Sequence, residues 1–365
     1  MKIAWISTAV LPYSEIDIKH SSAATNDCLK QLVEGLQSFG VESTLLLPEK
    51  SDSKCHHIVF EGSLQNTVAV EEKVDSTGTV TGSVLSQMMD WAWNAQDSYD
   101  LIVNIGHDYL PIFMVGKFRT PFITLPNLCS TTQPMDDLIR KRALAHPSLV
   151  WFSSHAQRLI LGNNENPILT QSFDTTTFPV AAPIDFDTPL GWAGRIVKEK
   201  GLRRSAQIAQ KLNRRLWVAG PIHDEEYLDS VLKEFPTNID YLGCISRQEL
   251  FAKLSNTAAF LQTQKPGWDE AFGRITAEAL LAGCPVLYDE SGANAELAKL
   301  TGGGVLINNN DIEASFNLAL SISRIIIQQN AREQFDRYLV AKRFLQIAQK
   351  IHPRLDHAIR VSTSM

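Results

Sequence analysis

Residues 263–288 read TQKPGWDEAFGRITAEALLAGCPVLY, and this stretch decides the fold. Lys265, Pro266 and Gly267 open it as a loop. From Phe272 to Leu281 the apolar residues Phe272, Ile275, Ala279 and Leu280 recur at helical spacing. Gly283, Cys284 and Pro285 stop that helix, and Val286-Leu287-Tyr288 starts a strand. Glu270 then stands at the mouth of a helix, with Glu278 inside it. At about 1.5 Å per residue the two carboxylates lie roughly 12 Å apart, and steps of about 100° return them to nearly the same face. Between them come the N–H groups of a helix N-terminus, opened by the small residues Ala271 and Gly273. Such an end attracts phosphate. A carboxylate, an anion site and a second carboxylate form a template for a sugar nucleotide. Glu270 would meet sugar hydroxyls, the helix end the diphosphate, and Glu278 the ribose.

Working outward, Pro189–Ala193 reads as a strand, followed by Gly194-Arg195-Ile196-Val197-Lys198-Glu199-Lys200-Gly201 and a helix to about Leu212. The pattern E-A-F-G-x4-E-A-L-x-x-G-x-P-V from Glu270 to Val286, preceded by G-R-[IL]-x3-K-G, resembles the paired signatures of the retaining glycosyltransferases of the GT-B fold. This is the E-x7-E group, glycosyltransferase family 4, with sucrose synthases and bacterial α-mannosyl- and α-glucosyltransferases among its members. The resemblance spans the chain and is specific over residues 188–300. It implies an α/β architecture of two Rossmann-like, doubly wound domains facing a cleft, with a C-terminal helix crossing back to the first domain. Residues 1–180 would form the acceptor domain, 188–330 the nucleotide-sugar domain, and 331–365 the returning helix. It also implies that Arg195 and Lys200 meet the donor phosphates. Charge grows on a departing nucleoside diphosphate, and cations stabilise it. Gly194, Ala271, Phe272 and Gly273 would line the donor, and Ile245, in Gly243-Cys244-Ile245-Ser246, would hold the nucleobase through backbone groups.

The first half of the chain opens β-loop-α-β: Lys2–Ala9, the loop LPYSEIDIKHSSAAT, a helix from about Asn26 to Phe39, and a strand Glu42–Leu47. Where the resembling family has a Gly-Gly pair near the diphosphate, this chain has Ser21-Ser22-Ala23-Ala24, which keeps small residues but not the backbone freedom of glycine. Ser21 and Ser22 are candidates for acceptor or phosphate binding through their hydroxyls, and a solvated loop is the plain alternative. Short β-like pieces, His57–Phe60 and Thr67–Val70, precede a helix from about Ser83 to Ala95. A buried strand, Asp100–Ile105, ends at Gly106-His107-Asp108. Ligands of open α/β sheets gather at the carboxyl ends of strands, and the family often has a histidine here, so His107 joins the catalytic candidates. Pro121–Leu125 ends at Pro126-Asn127, where many relatives have histidine; asparagine can bond a hydroxyl but cannot serve as a base. Leu149–Ser153 reads as a further strand, residues 167–187 as a linker, and Arg332–Ile351 as one long amphipathic segment after a helix from about Asp311.

Composition bounds the rest. The chain has 365 residues, 44% hydrophobic, with a formal net charge of −6, which suits two soluble domains and not a broad nucleic-acid surface. Five scattered cysteines without a C-x-x-C pair suit a reducing cytoplasm better than a disulfide frame or a zinc site. MKIAWISTAVLPY lacks the basic and small-residue features of a signal peptide, and no apolar run reaches membrane-spanning length. Asp185-Phe186-Asp187 imitates a D-x-D metal motif, but it lies in the linker and the implied fold needs none, so no metal and no cofactor are expected. No G-x-G-x-x-G follows a strand in the first domain, which sets aside a dehydrogenase. The reading is a retaining, cytoplasmic hexosyltransferase that uses a UDP-sugar, UDP-glucose first, on a soluble small-molecule or glycan acceptor. The alternatives are a non-catalytic nucleotide- or glycan-binding protein on the same fold, or a lipid-linked or polysaccharide acceptor.

Overall fold

The structure is a computed structural model, and it describes residues 1–10, 13, 23–64, 82–185, 187–265, 267, 269–290 and 292–351. Ser21, Ser22, the expected strand Thr67–Val70, Pro266, Phe186 and Trp268 lie outside the described residues. The chain divides into two units, 1–173 with 337–365 and 174–336.

In the first unit the elements run β1 (Lys2–Ile6), α1 (Ala23–Gln37), β2 (Glu42–Pro48), β3 (His56–Phe60), α2 (Val84–Ala95), β4 (Leu101–Asn104), α3 (Tyr109–Met114), β5 (Phe122–Thr124), α4 (Gln133–Ala145) and α5 (His155–Leu161). The strands pair in parallel in the order β3-β2-β1-β4-β5. The expected strand Leu149–Ser153 is instead two single bridges, Thr124 to Val150 and Phe152 to Ile168. Successive residues there bond different partners, so no ladder forms.

In the second unit they run β6 (Leu190–Ala193), α6 (Leu202–Lys211), β7 (Leu216–Ala219), α7 (Glu225–Glu234), β8 (Ile239–Tyr241), α8 (Arg247–Ser255), β9 (Phe260–Gln262), α9 (Arg274–Leu281), β10 (Val286–Tyr288), α10 (Gly292–Thr301), β11 (Gly304–Leu306), α11 (Ile312–Ser321) and α12 (Arg324–Phe335). Its parallel sheet has the order β11-β10-β9-β6-β7-β8. The last helix, α13 (Arg337–Ile351), belongs to the first unit and packs on α1, where Arg337 pairs with Glu34 at 2.6 Å. The expected continuous segment Arg332–Ile351 is therefore broken at Asp336, whose φ of −58° and ψ of 132° leave the helical region. The helix expected from Asp311 is likewise two helices, parted at Ile322 and Ser323.

Alternation along β1 shows how the first sheet is buried. Ile3 and Trp5 join one core with α1 and α13, and Trp5 lies 5.7 Å from the Phe344 ring. Ala4 and Ile6 join a second core with α2 and α4 on the opposite face. A parallel sheet covered on both faces needs near-continuous apolar strands, which is how these sequences read. In both units the chain order reverses beside the first strand, β1 next to β4 and β6 next to β9. That reversal leaves a crevice at the carboxyl ends of the two strands, where open α/β sheets bind ligands.

Candidate active site

The second unit brings its charged groups to that switch point. After β6 the chain passes through Gly194 and Arg195 to a short 3-10 turn, Lys198–Lys200, which ends at Gly201 in the left-handed region (φ 75°). A Cβ on Gly201 would stand 1.4 Å from the Thr263 carbonyl oxygen, so only glycine lets this turn lie against the end of β9. Thr263 Oγ1 lies within hydrogen-bond distance of the Gly201 carbonyl (3.0 Å) and of Ser205 Oγ (2.6 Å), and the Trp192 indole donates to the Lys200 carbonyl at 3.3 Å. These contacts aim Lys200 at Glu270, and the two form an ion pair.

Glu270 does not sit where helical spacing put it. The expected helix from Phe272 begins at Arg274, because Gly273 takes φ 79° and ψ 61° at the N-cap. Glu270 is therefore in the loop before α9, and helical steps do not relate it to Glu278. Gln264 donates to the Glu270 carboxylate at 2.7 Å, Asn294 donates to Gln264 at 2.9 Å, and Thr276 donates to Asn294 at 2.7 Å. The sequence reading missed Gln264, Thr276 and Asn294. Their only signal was position: a polar pair just past a strand end, a hydroxyl in the first turn of α9, and an amide in the first turn of α10.

Glu278 is buried within α9, and its Oε1 lies 3.1 Å from Arg247 and 3.5 Å from Arg274. The sequence did not identify these two arginines as its partners. Arg247 opens α8 directly after Ile245 and Ser246, so the half-buried Ile245 and Glu278 are linked through it. Phe272 is a core residue, its ring 5.7 Å from Phe335 and nearly perpendicular to it, which leaves only its backbone to face a ligand. Ala271 is buried beside it.

Arg195 is half-buried, and among the described residues no acceptor or carboxylate engages its guanidinium. Neighbouring cations are matched: Lys198 with Asp224, Arg203 with Glu234, Arg204 with Asp289. A half-buried cation without a counter-charge, in the turn after β6 and five residues before Lys200, makes this end of the sheet suited to an anion.

In the first unit, His107 and Asp108 follow β4. Burial pushes the His107 imidazole down to about 4, against a smaller upward pull from Asp136. Burial pushes Asp108 up to about 6. His107 Nε2 is 3.5 Å from Thr131 Oγ1, and Asp136 accepts from Ser130 at 2.6 Å. Asn127 donates to Thr25 at 3.3 Å while its own carbonyl oxygen is buried without a partner. No described helix is long and apolar enough to cross a membrane.

Comparison with known structures bears on the fold. A sucrose-phosphate synthase from Thermosynechococcus elongatus superposes with a TM-score of 0.72 at 17% identity, over 97% of this chain and 99% of that one. HepE of Anabaena, solved with UDP and glucose, gives 0.68 at 15% identity over 96% and 100%. AviGT4, a glycosyltransferase involved in avilamycin A biosynthesis, gives 0.68 at 17% identity over 96% and 98%. The fold is thus that of the GT-B glycosyltransferases, two Rossmann-like parallel-sheet domains. In sequence, an uncharacterized 42.6 kDa protein of the cps region of Klebsiella pneumoniae is 26% identical over 114 residues, which is 31% of this chain and 29% of that protein. Residues 189–339, the segment that holds Arg195, Lys200, Glu270 and Glu278, match the family model for glycosyl transferases group 1.

Proposed function

We propose that the protein transfers a hexose from a nucleoside-diphosphate sugar to a hydroxyl of a soluble acceptor, with retention at the anomeric carbon. The donor in this reading is a UDP-sugar, UDP-glucose first. The observation that carries it is the pairing of Lys200 with Glu270 at the switch point of a segment that matches the group 1 glycosyl transferase model and that also carries the uncompensated Arg195. HepE, which shares the fold, was solved with UDP-glucose.

Arg195 and Lys200 take the diphosphate and hold the charge that grows on it as the bond from C1 to the phosphate oxygen breaks. The first-turn N–H groups of α9, with Gly194, Ala271, Phe272 and Gly273 contributing backbone, add dipolar support. Glu270 accepts from sugar hydroxyls, Glu278 from the ribose, and the turn at Ile245 takes the nucleobase. The acceptor oxygen forms its bond to C1 on the face the phosphate leaves, and its proton passes to the departing phosphate oxygen. No protein base is then required. The first unit takes the acceptor, through His107 and Asn127 and the hydroxyls of Ser21 and Ser22. His107, held neutral by burial, donates or accepts without carrying charge. The site works in the cytoplasm without a metal or further cofactor.

A thermal-shift screen with UDP-, GDP- and ADP-sugars tests this. UDP-sugars are expected to raise the Tm and the others to leave it unchanged. No shift with any of them would refute the donor assignment.

A further inference from the structure

Three hydrogen bonds behind Glu270 run one way. The Thr276 hydroxyl donates to Asn294 Oδ1, Asn294 Nδ2 donates to Gln264 Oε1, and Gln264 Nε2 donates to Glu270 Oε1. Thr276 and Asn294 are 0% exposed and Gln264 is 4% exposed, so bulk water does not substitute for a misdirected amide. An amide carries an acceptor at one end and donors at the other, and fixing one end fixes both. The Glu270 carboxylate only accepts, so Gln264 turns its NH2 to it, Gln264 Oε1 takes the NH2 of Asn294, and the Thr276 hydroxyl donates to the remaining Asn294 Oδ1. The end product is an N–H delivered to the same oxygen of Glu270 that Lys200 holds. Space for the relay is specific as well. A Cβ on Gly273 would stand 2.0 Å from Asn294 Oδ1.

We propose that Asn294 is a positioning residue for donor-sugar recognition, acting through Gln264 to fix the rotation of the Glu270 carboxylate. The proposal rests on the reading above, in which Glu270 meets the sugar hydroxyls. With one oxygen held by two donors, the carboxylate plane is set before any sugar arrives, and no ordering has to accompany binding. The Asn294 side chain bonds Gln264, which in turn bonds Glu270, so its effect on the carboxylate passes through Gln264.

The direction of the relay makes the prediction sharp. Asn294→Asp keeps size and the acceptor for Thr276 but loses the donor. Gln264 must then turn its NH2 toward residue 294 and present its carbonyl oxygen to Glu270. Two acceptors face each other, and the Glu270 carboxylate rotates away. Thr276→Val removes the donor to Asn294 Oδ1 without adding charge, which leaves that oxygen unsatisfied and loosens the amide, a milder form of the same fault. The damage should fall on the sugar and not on the nucleotide.

The test is titration calorimetry of UDP and of UDP-glucose with the wild type, Asn294→Asp, Thr276→Val and Glu270→Gln. The readout is the ratio of the Kd for UDP to the Kd for UDP-glucose, which a general loss of stability does not move. Asn294→Asp and Glu270→Gln are expected to lower the ratio at least tenfold, and Thr276→Val about threefold. If Glu270→Gln lowers the ratio while Asn294→Asp and Thr276→Val leave it unchanged, the relay is refuted and the sugar role of Glu270 stands. If Glu270→Gln leaves the ratio unchanged, Glu270 does not meet the sugar, and both readings fall. Should Asn294→Asp not fold, Thr276→Val decides alone.

Discussion

The ammonium of Lys200 and the carboxylate of Glu270 meet across seventy residues of sequence, each delivered from the carboxyl end of one of two adjacent strands. Their side chains are 17% and 24% exposed, so the pair is accessible to a ligand yet shielded enough for charge to matter. Lys200→Ala should lower turnover by about 100-fold or more, in the range found for removing one group that stabilises transition-state charge. The Tm should move by only a few degrees, since a partly exposed pair contributes about 1 kcal/mol or less. Steady-state kinetics and a melting curve on the same preparation check this.

Gly201→Ala should act in the opposite proportion. The added Cβ meets a backbone oxygen at 1.4 Å, in a conformation that L side chains avoid. The turn that carries Lys200 must shift, with a stability loss of about 2 kcal/mol or more. Chemical denaturation should show a lower midpoint with unchanged slope, and activity should fall with it.

Glu278 stands between two arginines, and its side chain is 6% exposed against 9% for Arg274. Glu278→Gln removes the buried negative charge that Arg247 and Arg274 both approach, a loss of about 3 kcal/mol by analogy with broken buried pairs. The variant should therefore both unfold earlier and bind UDP more weakly. Arg247→Ala, at the more exposed arm of the cluster (22% exposed), should lower stability less. Denaturation of both variants, with UDP titrations, separates the two effects.

His107 and Asp108 pull stability in opposite directions with pH. Burial holds the His107 imidazole near 4 in the folded state, so its contribution is present above its ordinary value and lost as pH falls through 4. Burial holds Asp108 near 6, so its contribution is present at low pH and lost as pH rises through 6. In the wild type the two largely offset each other between pH 4 and 6. Asp108→Asn should expose the histidine slope, with Tm rising from pH 4 toward 6.5, and His107→Gln the aspartate slope, with Tm falling from pH 4 to 6. Melting curves across that range read both signs.

Cys244 is exposed in the turn beside Ile245, whereas Cys284 is buried and its thiol is pushed up to about 12. A maleimide at neutral pH should modify Cys244 first and leave Cys284 untouched in the native protein. UDP should slow labelling of Cys244 severalfold if that turn holds the nucleobase. Peptide mass mapping of timed reactions reads this out.

Much of the fold was legible because parallel strands covered on both faces are written as apolar runs. Pro189–Ala193 and Asp100–Ile105 read as strands for that reason, and the structure has Leu190–Ala193 and Leu101–Asn104. The break at Asp336 and the late start of α9 were not, since each turns on one residue's backbone angles inside an otherwise helical pattern. At the site, the sequence named the charges but not their partners. Lys200 and Glu270 carry spacing within their own motifs, whereas Gln264 and Asn294 matter through amide direction, which no spacing encodes. Arg247 and Arg274 escaped notice because a surface arginine and one bound to a buried carboxylate read alike in sequence.

The most direct test is release of UDP from UDP-glucose by the purified protein, alone and with a panel of hydroxyl acceptors, alongside Arg195→Ala. Slow release without acceptor is predicted, faster release with the right one, and a loss of about 100-fold or more in the variant. Absence of both binding and release with UDP-, GDP- and ADP-sugars alike would contradict the account.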